Sequence, residues 1–286
     1  MKKSLVFCIS LILSMLILSA SMVWAAQEEE PVMYESSELW LKNGDDPIYG
    51  VLYLPLEEKD KYPVVIISHG FGAISDQTAP VAQYFAEHGF AAYVYDFIGG
   101  SVKSRSGAAD GDMTHMSVLT EAADLSAVID QICELDFADP DNLFLIGQSQ
   151  GGYVSSYVAA QRPEDIKALV LEYPAYALQD DCWERHGSIE NVPETEHFMG
   201  QELGAIYSLD AMGMDIYDVI GAYNGDVLLI HGDKDPLVDI SYSERAAEVY
   251  ENEEFLIYEG ASHGFTGEYA ARANEDMLGF IEAHVD

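Results

Sequence analysis

An α/β fold, with a mostly parallel central sheet flanked by helices, is predicted by three observations. Continuous apolar runs such as PVVIIS (63–68), FAAYVYD (90–96) and NLFLIG (142–147) read as strands buried on both faces. Helical patterns separate them, and strands alternating with helices imply parallel pairing with both faces of the sheet covered. The residues able to do chemistry stand just past the ends of such runs, at the carboxyl edge of the predicted sheet.

Element by element, the alternating stretches near 33–42 and 48–54 predict antiparallel strands, with GDDP between them supplying the turn. After PVVIIS, the segment QTAPVAQYFAEHG predicts a helix ended by Gly89, followed by the strand FAAYVYD. Over 117–135 the spacing of Val118, Ala122, Leu125, Ile129 and Ile132 marks the buried stripe of an amphipathic helix, with Cys133 beside it. Then come the strand NLFLIG, a helix after Ser149, and the strand IKALVLEYP. The remainder predicts the strand DVLLIHG, the helix YSERAAEVYE, the strand EFLIYEG and a helix from about Gly267 to His284. No internal repeat or low-complexity tract interrupts this order.

One interval does. Residues 174–223, after the sixth strand, are far more than a crossover needs, and long connections inside compact domains are usually functional. Its rings (Tyr176, Trp183, Phe198, Tyr207, Tyr217 and Tyr223) occur at close to the chain-wide frequency, so composition alone does not make it a pocket. Trp183 and Phe198 are the candidate substrate contacts.

At the start of the chain, Lys2 and Lys3 precede the apolar stretch Leu5–Leu18, and SMVWAAQ offers small residues for cleavage between Ala25 and Ala26. These features predict a secretory signal peptide over 1–25, a single domain over 26–286 and an extracytoplasmic or secreted location; an uncleaved anchor is the alternative. Cys8 is in the wrong context for a lipid-modified cysteine. The formal charge of −37, from 50 acidic and 13 basic residues, repels nucleic acid and anionic lipid, and is expected of a solubilising surface. No nucleic-acid partner is expected, nor a membrane one once the leader is removed. The oligomeric state is not encoded in any motif. Cys133 and Cys182 could pair in an oxidising compartment, but a buried helix-flank cysteine is expected to be an inert thiol.

The chemistry centres on IGQSQGG (146–152). Gly147 and Gly151, two residues either side of Ser149, relieve the crowding of a sharp strand–turn–helix bend, and Gly152 lets the helix pack closely. Such a bend lifts the serine hydroxyl above the sheet edge. The bland alternative is a helix cap with chance glycines. A serine needs a base to take its proton, and YEGASHGF places His263 in the loop after the last strand. His88, at a helix end, reads as a terminal cation, and His284 as solvent-facing. The imidazole in turn needs a carboxylate. LLIHGDKDPLV offers Asp235, past the tight Gly232 turn, while Asp233 reads as a turn residue. The loop after PVVIIS, in SHGFG, supplies the backbone N–H of Phe71, which with that of Gln150 would form an oxyanion hole. His69 lacks a metal-ligand partner at H-x-x-x-H spacing, and neither a dinucleotide fingerprint nor a phosphate loop occurs, so no metal or cofactor is expected.

Together SHGFG, GQSQGG, HGDKDPLV and ASHGF resemble the α/β-hydrolase superfamily from about Glu38 to the C-terminus, and within it most closely the bacterial feruloyl/cinnamoyl esterases. Those enzymes pair an HGF-type oxyanion loop with G-x-S-Q-G-G. They also carry an insertion of similar size, and MGQELGAIYSLDAMGMDIYDVI (199–220) resembles the part of it that leads back to the sheet. The resemblance implies an α/β-hydrolase fold with a lid holding an aromatic acyl group. It also implies a secreted serine carboxylic-ester hydrolase acting on small-molecule, hydroxycinnamoyl-type esters. Two other readings stay open. One is a serine peptidase of the prolyl-oligopeptidase-like type, without the propeller, in which Glu194 and Glu196 would anchor a peptide terminus. The other is a non-catalytic binding module on the same scaffold.

Overall fold

The computed structural model describes residues 33–107 and 111–286. The predicted signal peptide lies outside them. Among the described residues no helix is long and apolar enough to cross a membrane.

In chain order the elements are β1 (Tyr34–Glu38), β2 (Leu41–Asn43), β3 (Asp46–Ile48), β4 (Gly50–Pro55), β5 (Tyr62–Ser68), α1 (Ser75–Glu87), β6 (Ala91–Tyr95) and α2 (Val118–Cys133). They continue as β7 (Ala138–Gln148), α3 (Gln150–Gln161), β8 (Ala168–Glu172), α4 (Leu178–His186), β9 (Thr195–Phe198), β10 (Gln201–Gly204), α5 (Ala205–Met212) and α6 (Tyr217–Ile220). The last four are β11 (Asp226–Gly232), α7 (Ser241–Ala247), β12 (Glu253–Tyr258) and α8 (Glu268–Glu282). The main sheet runs β1-β4-β6-β5-β7-β8-β11-β12. It is parallel from β6 to β12, while β4 pairs antiparallel with both β1 and β6.

The apolar runs are buried on both faces, as their lack of alternation requires. Along β5, Val64 and Ile66 enter one core while Val65 and Ile67 enter the other. Residues of α1 and α8 fill the second core, and those of α2, α3 and the 174–223 insertion fill the first. The predicted stripe of α2 is buried as expected, and Ser117 caps the helix by accepting from the amides of Leu119 and Thr120. Cys133, at its last turn, is only half-buried; Cys182 is fully buried, and both are free thiols.

Two expectations need correction. The stretches at 33–42 and 48–54 are four short strands rather than two. β2 and β3 close into a separate hairpin at Gly44, whose φ of 60° suits glycine, and this hairpin carries Leu41 and Ile48 into the core beside α2. The helix expected over 242–251 ends at Ala247. The insertion folds as α4, a 3₁₀ turn, the β9–β10 hairpin, α5 and α6.

Candidate active site

β7 and α3 meet at a sharp bend. Ser149 sits there with φ 53° and ψ −118°, a conformation that L-residues rarely adopt and that costs on the order of 1–3 kcal/mol. The glycines around it are required by contact. A Cβ on Gly147 would stand 2.5 Å from the Gly151 carbonyl oxygen, and one on Gly151 would stand 2.3 Å from that of Ser68. Gly152 lies against Pro174, as close helix packing demands. The Ser149 amide donates to the Glu172 carbonyl oxygen at 3.0 Å, which ties the bend to the end of β8.

The three residues predicted from separate strand ends come together. The Ser149 hydroxyl donates to His263 Nε2 at 3.0 Å, and His263 Nδ1 donates to Asp235 Oδ2 at 2.7 Å. A carboxylate only accepts, so this bond fixes the proton on Nδ1 and leaves Nε2 free to accept. Tyr173 packs edge-on against the His263 ring at 4.8 Å. Burial opposes charge on Asp235. Hydrogen bonds from His231, His263 and the amides of Val238 and Leu237 outweigh that effect and hold the carboxyl well below the usual range. Asp233 instead accepts from the Gly260 amide and pairs with Lys234, the turn role expected of it.

The loop after β5 runs beside the bend, and a Cβ on Gly70 would approach that of Ser149 to 3.1 Å. His69 fixes this loop: Nδ1 donates to the Gly70 carbonyl and Nε2 accepts from the Phe97 amide, while burial pushes its pKa down. Among the described residues, the amides of Phe71 and Gln150 donate to no other group of the protein. Both residues line the cavity described next.

A cavity of about 740 Å³ opens beside Ser149 and His263. Phe198 lines it and packs edge-on to Phe71 at 5.7 Å. Trp183 does not line it. On α4 the buried or cavity-facing positions are Leu178, Asp181, Cys182, Glu184 and Arg185, and helical spacing turns Trp183 to the opposite side, where it is 38% exposed. Nor do Glu194 and Glu196 line the cavity. Glu196 is engaged within the insertion by Arg185, His186 and the Ser208 hydroxyl. The acidic groups that do face the cavity are Asp181 and Glu184.

Sequence reasoning missed several lining or supporting groups. Tyr207 and Leu237 line the cavity, and Met199 joins them at the tip of the β9–β10 hairpin, where it and Gly200 take the positive φ of a tight turn. His231 braces Asp235 from below. Gln148 and Gln150, on either side of the serine, each donate to a wholly buried glutamate, Glu172 at 2.6 Å and Glu121 at 2.8 Å. The glutamines were in plain view within GQSQGG; their partners lie on other elements.

This sheet order, bend and strand-end hydrogen-bond chain define an α/β-hydrolase. The sequence model of the family described as serine aminopeptidase, S33, matches residues 59–207, just over half of the chain, and the chain belongs to that hydrolase family. It is 31% identical over 164 residues to the uncharacterized protein YcjY of Escherichia coli, a match covering 54% of this chain and 51% of that protein. It is 23% identical over 261 residues to a monoacylglycerol lipase of Mycolicibacterium smegmatis, covering 80% of this chain and 91% of the lipase. Among solved structures, Est1E from Butyrivibrio proteoclasticus with bound ferulic acid superposes with a TM-score of 0.78 at 24% identity, covering 86% of this chain and 98% of that one.

Proposed function

We propose that the protein is a serine carboxylic-ester hydrolase. The single observation that carries this reading is the continuous hydrogen-bond chain from Ser149 through His263 to Asp235 at the wall of a largely apolar cavity. Ser149 Oγ attacks the ester carbonyl carbon while His263 Nε2 takes the hydroxyl proton. Asp235 holds the ring and stabilises the resulting imidazolium. The amides of Phe71 and Gln150 receive the oxyanion. Collapse of the intermediate breaks the bond to the alcohol oxygen, which leaves with the proton from His263. Water then attacks the acyl-serine with the same base, releasing acid and restoring the hydroxyl. The insertion acts as the wall that holds the acyl group, and hydroxycinnamoyl-type esters are the proposed substrates. Removal of residues 1–25 would release the domain outside the cytoplasm.

A peptidase is the second reading, favoured by the family's description and by Asp181 and Glu184, which could receive a peptide ammonium. One purified sample, assayed on p-nitrophenyl acetate, ethyl ferulate and aminoacyl anilides, tests both readings. Ester turnover well above amide turnover, with an organophosphonate adduct on Ser149, is expected. Faster release from the anilides would replace the esterase with an aminopeptidase.

A further inference from the structure

The Gln150 side chain bridges two distant parts of the fold. Its Nε2 donates to Glu121 Oε2 on α2 at 2.8 Å, and its Oε1 accepts from the Tyr207 hydroxyl on α5 of the insertion at 3.0 Å. All three side chains are buried, with Gln150 and Tyr207 each 2% and Glu121 1% exposed. Tyr207 also touches the other half of the oxyanion site, its ring 5.6 Å from that of Phe71. One insertion residue therefore contacts both residues whose amides are proposed to hold the oxyanion.

We propose that Glu121 and Tyr207 are positioning residues. They grip the Gln150 amide from opposite sides, set its backbone N–H toward the oxyanion, and make that geometry depend on the seating of the insertion. The proposal rests on the esterase reading above. Its physical basis is that a preorganised donor works only when its direction is fixed. Glu121 lies in a fully buried site, and burial pushes its carboxyl up to about 8, so at neutral pH it is a neutral acceptor for Gln150. A glutamine at that position keeps both the neutrality and the acceptor.

The test measures kcat and KM on one ester for wild type, Tyr207→Phe, Glu121→Leu, Glu121→Gln, Gln150→Ala and the double variant Tyr207→Phe/Gln150→Ala, with thermal midpoints alongside. Tyr207→Phe and Glu121→Leu should each lower kcat by about tenfold with KM nearly unchanged, less than the loss of a whole oxyanion donor. Glu121→Gln should restore kcat. The double variant should be no slower than Gln150→Ala, because the hydroxyl acts through Gln150. Effects that multiply in the double variant, or that fall on KM alone, would mean that Tyr207 serves the substrate directly and would overturn the proposal. So would unchanged kcat in folded Tyr207→Phe. If Glu121→Leu does not fold, the Tyr207/Gln150 pair decides alone. A wild type that neither turns over esters nor takes an organophosphonate would remove the esterase reading and the inference with it. A reactive wild type with indifferent variants would remove only the inference.

Discussion

His231 reaches Asp235 Oδ2 at 3.1 Å, the same oxygen that accepts from His263 at 2.7 Å. Its Nε2 also donates to the Val238 carbonyl, and Nδ1 accepts from the Ser243 hydroxyl, so the ring is fixed at both ends. The carboxylate is thus gripped by two rings and two amides. Asparagine at this position would present an N–H where His263 now donates and would favour the wrong tautomer. Asp235→Asn is expected to lower kcat by about 10³–10⁴-fold, whereas Asp233→Asn, outside this arrangement, should stay close to wild type. Equal losses in the two variants would mean that Asp235 does not orient His263.

The carboxyl pKa of Asp235 is depressed in the fold, so its contribution to stability is fully present above the unfolded carboxylate range and is lost as pH falls from that range through the lower folded value. Several buried carboxyls act in the opposite sense, Glu121 and Glu172 among them. Burial pushes Glu121 up to about 8 and Glu172 up to about 7. Between the unfolded value, about 4.3, and those values the native state holds more protons than the unfolded one, so their contribution falls as pH rises. Replacing both by glutamine should raise the urea midpoint at pH 8.5 more than at pH 5. Comparing variant with wild type at each pH cancels the general repulsion of a chain with charge −37. A gain that is the same at both pH values would mean that neither carboxyl has a raised pKa in the fold.

Backbone strain at Ser149 separates the nucleophile from the fold. Ser149→Ala should lose at least about 10³-fold in ester turnover, since nucleophile and base act as a unit, with a thermal midpoint near wild type. Ser149→Gly should be equally inactive yet more stable, because glycine adopts φ 53° without strain. Relief of about 1 kcal/mol corresponds to roughly 2–4 °C for a domain of this size. Residual turnover in a folded Ser149→Ala protein would refute the assigned nucleophile. A glycine variant less stable than the alanine one would show that the bend carries no strain.

That Ser149, Asp235 and His263 would meet at the sheet edge could be read from the sequence because each announces itself locally: a short polar motif after an apolar run names both the residue type and its place at the sheet edge. The parallel sheet was legible for the same reason, since a doubly buried strand carries no alternation. The Glu121–Gln150–Tyr207 bridge was not, because its members stand 29 and 57 positions apart and meet only once α2, α3 and α5 have packed. The early strands were blurred by tertiary override, in that the β2–β3 hairpin is set by what Leu41 and Ile48 bury against. Trp183 and Phe198 looked alike in a list of aromatics. Which way each points is a property of α4 and β9, and those elements carry too weak a periodicity to be oriented from sequence.

That difference in direction gives the insertion a selective test. Phe198 lies on the cavity wall against both Phe71 and Tyr207, with the Arg185 guanidinium 4.1 Å from its ring centroid, whereas Trp183 faces outward. If the wall receives an aromatic acyl group, Phe198→Ala should weaken feruloyl esters relative to acetyl esters. One lining ring contributes about 1–3 kcal/mol of discrimination, or roughly 10–200-fold. The loss should appear mainly in KM if the ring binds ground and transition states alike, and in kcat if its absence lets the carbonyl shift. Trp183→Ala should leave the ratio unchanged, which makes it the control for damage to the insertion as a whole. Should Phe198→Ala slow every ester equally and lower the thermal midpoint, the ring is packing for the insertion, and the acyl site is that of a general esterase.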